Sequence, residues 1–424
     1  MHSNAHDYRS GTGWSPTTLT STSFFAMLFL FLTLTAGPAR AQTYGVLHNF
    51  TSGSDGAFAE SLVMDRAGNL YGTTRAGGAS SHGTVFKSSR GTLVPLYSFT
   101  RTGSGTFQFP WHSLTIGPDG TLYGTDKYGG TFFGTIFNLR PPATPCKTAL
   151  CPWTQTVLYT FSGSDGADPT GNLSFGPAGE IYGGTLFGGS GANCNPSPCG
   201  VVFKLTPVQG NWTESIIHNF TGDDGAYPSS GVTFDAQGNL YGTAVGGGVN
   251  AGGVVFELKP SGNGWNYQAI HSFLYSDNGG EDPYGNLLLD PSGNLYAGTG
   301  QGGSGGGGIF QLAPSGGGWN FNVLYSFSGT LQEFDYVYLA RDNSGNLYGT
   351  TFDLGAYGYG SVFRLSPGSG GWTYTPLYDF CRNGPPCSDG ANPGSIVVDS
   401  AGNLYGTANT GGAYGVGVLW EITP

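Results

Sequence analysis

Short segments in which apolar residues alternate with polar or small ones recur along the chain from about residue 43 onwards. The clearest of them reads Gly-Asn-Leu-Tyr-Gly-Thr. With modest variants it occurs seven times, beginning at Gly68, Gly120, Gly179, Gly238, Gly293, Gly345 and Gly402. Successive copies are 52 to 59 residues apart. An alternation with period two predicts β-strands, and the Gly, Pro, Asn and Asp clusters between the segments predict turns.

Three further strand-like segments accompany each copy in a fixed order. An apolar segment ending in Asp precedes it, as at 61–65. A Val-Phe-Lys-Leu type segment follows, as at 201–205, and then a Leu-Tyr-Ser-Phe type segment, as at 96–99. We name the four predicted strands A to D. Four antiparallel strands in a repeat of this length are typical of a β-propeller blade.

The two ends of the repeat region complement each other. The chain opens with a D-type segment at 47–50 and closes on a C-type segment at 417–422. Pairing of the N-terminal strand with the last blade would complete seven blades and leave no open sheet edge. We therefore predict an all-β fold, a seven-bladed β-propeller closed in this way. It would be a single domain over residues 42–424, with repeats of about 55 residues.

Residues 1–41 have the features of an export signal. An apolar run that starts at Phe24 is followed by Ala39-Arg40-Ala41, a cleavage site of the A-x-A type, so the mature chain would start at Gln42. The alternative is a retained N-terminal anchor, since the segment before the run is only weakly basic. The run is shorter than the roughly 20 apolar residues that span a bilayer. We expect a secreted, extracellular or cell-surface protein with no membrane span after cleavage.

Composition changes this picture little. The chain has 77 Gly but 14% aromatic residues, which is enough aromatic surface to build a core. Its net charge is −11, and Lys and Arg form neither a run nor a stripe. Nucleic acid is therefore excluded as a partner, because phosphate binding needs clustered basic residues.

The six cysteines form three close pairs. These are Cys146 and Cys151, Cys194 and Cys199, and Cys381 and Cys387. Export permits oxidation, so we predict local disulfides. A zinc site is the alternative, but zinc usually requires two such pairs or additional histidines to converge.

The segments Leu-Tyr-Ser-Phe, Asp-Gly-Ala-x-Pro, Gly-Asn-Leu-Tyr-Gly-Thr and Gly-Thr-Val-Phe-Lys-Leu together resemble the tandem repeat of bacterial secreted GloVer-type proteins. The resemblance extends from about residue 44 to residue 422. It implies an exported or surface repeat protein, often with a C-terminal sorting tail, and it implies no defined reaction. The last strand segment here ends two residues before the C-terminus, so we expect a released protein.

The Asp-Gly-Ala-x-Pro element precedes strand A on the face that would also carry the B–C loops. Its aspartates are Asp55, Asp165, Asp224 and Asp389, and the fifth blade has Asp282-Pro283 instead. A ring of carboxylates at the channel could bind calcium, although Asp-Gly is also a common turn sequence. We therefore expect no cofactor, with calcium as the alternative.

The B–C loops carry aromatic residues beyond the repeat pattern. These are Tyr128, Phe132, Phe133, Phe187, Phe352, Tyr357, Tyr359 and Tyr414. Aromatic rings provide rigid contact area for sugars and proteins, so these residues are the candidate ligand site. Packing over glycine-rich loops is the other interpretation.

No catalytic constellation is evident. His48, His218 and His271 occupy strand-D positions that hold Tyr in other repeats, which indicates a structural role. The leading hypothesis is a non-enzymatic extracellular binding or scaffold module, expected to be monomeric, with a carbohydrate or extracellular protein ligand. The alternatives are a secreted propeller enzyme acting on a polysaccharide or lactone with carboxylates at the central channel, and a structural role in a surface layer.

Overall fold

The computed structural model describes residues 42–100, 114–142, 153–191, 194, 198–274, 280–301, 305–328 and 337–424. These residues form twenty-nine β-strands and no helix. The strands belong to seven antiparallel sheets, each one blade of a propeller, so the predicted fold is confirmed. The predicted signal peptide lies outside the described residues.

The first three blades each contain four consecutive strands, from the inner to the outer edge. Strand β1 (Thr43–Asn49) precedes them in the chain and belongs to the seventh blade. Blade 1 consists of β2 (Ala57–Met64), β3 (Leu70–Ala76), β4 (Thr84–Ser89) and β5 (Thr92–Ser98); blade 2 of β6 (Leu114–Ile116), β7 (Leu122–Asp126), β8 (Thr135–Arg140) and β9 (Thr154–Thr160); and blade 3 of β10 (Ala167–Phe175), β11 (Ile181–Phe187), β12 (Val201–Val208) and β13 (Asn211–Asn219).

In the other blades the inner position is more variable. It is divided between two short strands in blade 4 and is only two residues long in blade 5. Blade 4 consists of β14 (Ala226–Pro228), β15 (Thr233–Phe234), β16 (Leu240–Gly246), β17 (Val254–Ser261) and β18 (Gly264–Ser272); blade 5 of β19 (Leu288–Leu289), β20 (Leu295–Thr299), β21 (Gly305–Ser315) and β22 (Gly318–Ser328); blade 6 of β23 (Val337–Arg341), β24 (Leu347–Thr351), β25 (Ser361–Gly368) and β26 (Gly371–Asp379); and blade 7 of β27 (Ala391–Val398), β28 (Leu404–Thr410), β29 (Val418–Thr423) and β1.

Strand β1 closes the ring as predicted. It pairs antiparallel with β29, from Thr43 opposite Thr423 to Asn49 opposite Val418. The first and last strands of the described chain therefore share one sheet, and blade 7 has all four strand positions A to D filled.

The Asp-x-x-Gly-Asn motif forms the turn between strands A and B. In blade 1 the Asp65 carboxylate accepts hydrogen bonds from the backbone N–H groups of Ala67 and Asn69, both at 2.9 Å, and from the Asn69 side-chain amide at 2.7 Å. Gly68 has a φ of 80°, which favours glycine. Burial acts to raise the pKa of Asp65, but these hydrogen bonds outweigh it and leave the pKa below its usual value. The Asp-x-x-Gly-Asn motif thus stabilises the turn between strands A and B.

Seven pairs of buried aromatic rings join neighbouring blades. Each pair contains a phenylalanine at the end of a D strand and the central ring of the C strand in the next blade, with centroids 5.2 to 5.9 Å apart. The pairs are Phe50–Phe86, Phe99–Phe137, Phe161–Phe203, Phe220–Phe256, Phe273–Phe310, Phe327–Phe363 and Phe380–Trp420. Burial of large rings in close contact is the main source of stability in such a core.

The C-strand ring also explains the glycine in Leu-Tyr-Gly-Thr. A Cβ atom on Gly72 would lie 2.4 Å from the ring of Phe86. Glycine is required there because strand B passes directly over the ring.

Candidate functional site

The loops divide between the two ends of the ring. The short A–B and C–D turns lie at one end, and the B–C and D–A loops lie at the other, which we call the loop face. All eight aromatic residues singled out from the sequence, and the four aspartates of Asp-Gly-Ala-x-Pro, belong to the loop face. It is therefore the part of the molecule in which to look for a site.

The four aspartates bind the D–A turns to the preceding D strands. Asp165 accepts hydrogen bonds from the Tyr159 hydroxyl at 2.6 Å and from the backbone N–H of Ser162 at 2.8 Å. Asp389 does the same with the Tyr378 hydroxyl at 2.8 Å and the N–H of Cys381 at 3.1 Å. Each of these carboxylates is thus engaged within its own turn.

Histidine replaces tyrosine at the other two turns. His48 Nε2 lies 2.9 Å from a carboxylate oxygen of Asp55, and His218 Nε2 lies 3.1 Å from one of Asp224. Burial acts to raise the pKa of Asp55, but hydrogen bonds from Thr51 and His48 outweigh it, so the pKa is lowered. His and Tyr are interchangeable here because both reach the same carboxylate.

Residues at the inner edges of all seven blades line a central channel with a volume of about 420 Å³. Its described lining includes hydroxyl and amide side chains, such as those of Ser61, Asn172 and Asn286. Among the described lining residues, Arg341 is the one charged side chain, and none of the four aspartates is present. The aspartates are therefore not brought together at the channel.

A set of residues at the mouth of the channel was not singled out from the sequence, except for Asp282, which was named only as the fifth blade's variant of the motif. They occupy the x position of Asp-Gly-Ala-x-Pro and its variants, have φ angles of 54 to 62°, and donate their N–H to a carbonyl of the preceding blade's B–C loop at 2.8 to 3.0 Å. They are Phe58, Asp168, Tyr227, Asp282 and Asn392. The strained backbone recurs from blade to blade, so it serves to join blades, whereas the side chain varies. That variation within a fixed motif was the available sequence signal.

Polar clusters surround several of these mouth residues. The cluster next to Phe58 lies at the seam between blades 7 and 1, where Glu60 lies 3.6 Å from the Arg75 guanidinium and accepts a 2.7 Å hydrogen bond from the Asn409 amide. Burial raises the pKa of Glu60 to about 7, although Arg75 and Asn409 oppose the change. The Arg75 guanidinium lies 5.4 Å from the centre of the Phe58 ring.

Two further clusters join blades 2 and 3 and blades 6 and 7. Lys127 Nζ lies 3.6 Å from an Asp168 carboxylate oxygen. The Asn392 amide donates to Asp353 at 2.6 Å, and its oxygen accepts from the Thr410 hydroxyl at 2.8 Å. Burial raises the pKa of both Asp168 and Asp353. These clusters place Glu60, Asp168 and Asp353 at junctions between blades.

The eight aromatic residues divide into two groups of four. Tyr128, Phe187, Phe352 and Tyr359 are half-buried. The Phe187 ring, for example, lies 5.5 Å from that of Tyr227, and Tyr359 packs against Cys381 and Cys387. This half of the set stabilises the loops.

The other four are exposed. Tyr414 is 64% exposed, Phe132 60%, Tyr357 50% and Phe133 39%. Phe133 covers Gly163, where an added Cβ atom would lie 3.0 Å from the ring. These exposed rings are the part of the predicted set that a ligand can reach.

The loops that carry the exposed rings are held by the outer strands. The N–H of Ala356 donates to the Asp379 carboxylate at 3.0 Å, and the N–H of Ala413 donates to the Asn49 side chain at 2.8 Å. Both acceptors are the last residues of D strands. The adjacent Tyr357 and Tyr414 are thus presented from fixed backbone.

Two predicted disulfides are present, Cys194–Cys199 and Cys381–Cys387. The first closes the B–C loop of blade 3 and the second closes the D–A loop between blades 6 and 7. The predicted pair Cys146 and Cys151 lies outside the described residues.

Neither a metal cluster nor a membrane-spanning helix occurs in the described part of the chain. No three His, Cys, Asp or Glu side chains there are grouped to hold a metal ion. No helix there is long and apolar enough to cross a membrane.

Comparison with solved structures shows likeness at low identity. The extracellular domain of a hybrid two component system from B. thetaiotaomicron has a TM-score of 0.54 and 12% identity, and the match covers 89% of this chain. This chain spans only 39% of that one. A gluconolactonase from Xanthomonas campestris has a TM-score of 0.41 and 12% identity, with 90% of this chain and 89% of that chain covered. At such identities we infer no activity from either structure.

Sequence comparison shows the family. No curated protein matches the chain. A family described as the Gloeobacter/Verrucomicrobia repeat matches residues 33–154, 148–337 and 307–424, which together include every blade. The matched ranges contain the A–B turns and the paired aromatic rings of all seven blades. The chain belongs to the Gloeobacter/Verrucomicrobia repeat family.

Proposed function

We propose that the protein is a secreted, non-enzymatic binding module that holds an extracellular glycan against its loop face. The observation that supports this most is the exposure of Phe132, Tyr357 and Tyr414 on loops of one face. A flat ring in water offers apolar area to the C–H faces of a sugar, and a ring on a fixed loop loses little entropy on binding. If these loop tips had only to connect two strands, a small or polar residue would serve as well as an aromatic one.

The compartment is part of the proposal. Two disulfides are typical of proteins that fold outside the reducing cytoplasm. The apolar run and Ala39-Arg40-Ala41 within residues 1–41 agree with export.

A glycan array tests the binding role. The wild-type protein is expected to bind at least one glycan, and a triple variant Phe132→Ala/Tyr357→Ala/Tyr414→Ala is expected to lose the signal. Val157→Ala is a matched control, because Val157 is 45% exposed but belongs to the outer strand β9. A silent array, or equal signals from the triple variant and wild type, would refute the proposal. Binding of an extracellular protein, with no glycan bound, would show that the ligand is not a glycan.

A second candidate function is supported by the carboxylates at the channel mouth. Buried acids with raised pKa values are frequent in active sites, and Glu60 and Asp168 have this property. A propeller enzyme acting on a polysaccharide or lactone would lose turnover on Glu60→Gln. Absence of turnover by the wild-type protein over a panel of these substrates would eliminate this candidate.

A further inference from the structure

We infer that the glycan site lies on one sector of the loop face, where Tyr357 of blade 6 and Tyr414 of blade 7 flank the disulfide-closed loop 381–387. The ligand would be an oligosaccharide long enough to place one sugar on each ring. This inference rests on the proposed function and assigns it a location.

The two tyrosines occupy equivalent positions in adjacent blades. Tyr357 is 50% exposed and Tyr414 64%. Each follows an alanine whose N–H is bound to a D strand, and each precedes a glycine in the left-handed region, Gly358 with φ 73° and Gly415 with φ 74°. The two rings are therefore carried by the same loop conformation and repeat with the blades.

The disulfide-closed loop contacts both tyrosine-bearing loops. On the blade 6 side, Tyr359 packs against Cys381 and Cys387. On the blade 7 side, the N–H of Gly412 donates to the carbonyl of Cys387 at 2.9 Å. Loop 381–387 thus forms a floor between Tyr357 and Tyr414, and its disulfide restricts the movement of that floor.

The floor carries exposed hydrogen-bonding groups. Arg382, Asn383 and Ser388 are exposed. The Arg382 guanidinium lies 4.1 Å from the centre of the Tyr378 ring, and its Nε donates to the Asp379 carbonyl at 3.3 Å. Its remaining N–H groups can donate to oxygen atoms of a ligand. Rings at both sides with donors and acceptors between them match the alternating C–H faces and hydroxyl groups of a saccharide chain.

The equivalent tips in blades 1 and 4 are polar. Ser80 and Asn250 stand where Tyr357 and Tyr414 stand. Phe132 of blade 2 is exposed, but the neighbouring tip in blade 1 is this serine. Among the described loops, two aromatic tips in adjacent blades occur only in blades 6 and 7.

Isothermal titration calorimetry with cellohexaose, xylohexaose, mannohexaose and hexagalacturonate tests the location. At least one hexasaccharide is expected to bind, and its monosaccharide is expected to bind at least tenfold more weakly, because it reaches one ring only. Tyr357→Ala and Tyr414→Ala are each expected to weaken binding about tenfold. The double variant Cys381→Ser/Cys387→Ser is expected to weaken it as well, since the floor is no longer closed.

Val249→Ala is the matched control, because Val249 is 85% exposed on the same face but belongs to blade 4. It is expected to bind within twofold of wild type, whereas Phe132→Ala tests the alternative location on blade 2. If Phe132→Ala abolishes binding while the tyrosine variants bind normally, this location is wrong and the proposed function survives. If none of the four probes binds but the glycan array gives a signal that the tyrosine variants retain, the same conclusion holds. A silent array overturns the function itself.

Discussion

The interior of the ring and the loop face obey different rules. In the interior, the seven aromatic pairs keep their centroids within 5.2 to 5.9 Å of each other in every blade. On the loop face the backbone joints also recur, yet the side chains at the tips change from Ser80 to Asn250, Tyr357 and Tyr414. The comparison teaches that positions repeated in all blades support the ring, and that positions free to vary are where a ligand can be selected.

Removal of strand β1 should destabilise the interior of the ring more than any other change considered. Deleting residues 43–50 leaves β29 without its partner and removes Phe50 from the core between blades 7 and 1. We expect the free energy of unfolding to fall by more than about 5 kcal/mol, because a blade and the closure of the ring are lost together. Thermal unfolding of the deletion variant measures this, and a melting temperature equal to that of the undeleted chain would contradict closure.

Substituting one interior aromatic ring by alanine should cost far more stability than substituting one exposed ring. Phe203 is fully buried, whereas Phe132 is 60% exposed. Phe203→Ala is expected to lower the free energy of unfolding by about 3–5 kcal/mol, since it leaves a cavity between blades 2 and 3. Phe132→Ala is expected to change it by less than about 0.5 kcal/mol. Chemical denaturation of the two variants compares them directly, and similar losses in both would remove the distinction between interior and loop face.

The smallest change in stability that we expect comes from two buried acids, and it appears only as a dependence on pH. Burial raises the pKa of Glu60 to about 7, well above its ordinary value of 4.5, so the native state favours the protonated acid. Its stabilising contribution is complete below about pH 4.5 and is lost as the pH rises through about 7, by roughly 3 kcal/mol. Glu214 in strand β13 has the same direction of change, again to about 7 and chiefly through burial, with the Asp165 charge adding to it.

Melting temperatures recorded from pH 4.5 to 8 would reveal this loss. Glu60→Gln should flatten the profile, and the double variant with Glu214→Gln should flatten it further. An unchanged slope in both variants would show that these acids titrate normally in the folded protein.

The fold was predictable because each blade repeats the same local signals. The Asp-x-x-Gly-Asn turn around Asp65 is visible as a motif, and the D-type segment at 47–50 indicates the closure of the ring. Each signal involves residues close together in the chain, and seven copies make chance agreement negligible.

The candidate site was predictable only in part. The sequence identified the loop-face aromatics, but it could not separate exposed Tyr414 from half-buried Phe352, because exposure depends on which neighbouring loop covers each ring. It also suggested Asp55 as part of a channel ring, whereas the carboxylate bonds to Thr51 and His48 within its own turn. Such outcomes depend on side-chain directions at blade junctions, which periodicity does not encode.

The amino-acid order alone thus specifies the blade, the number of blades and the way the ring closes. Strand alternation, turn residues and the repeated rings act over short distances and all favour the same structure. Contacts between blades decide the rest. They bury Glu60 at a seam, place loop 381–387 between Tyr357 and Tyr414, and leave those two rings in water. Residues that meet in this way come from different repeats, so only the packing of blade against blade brings them together.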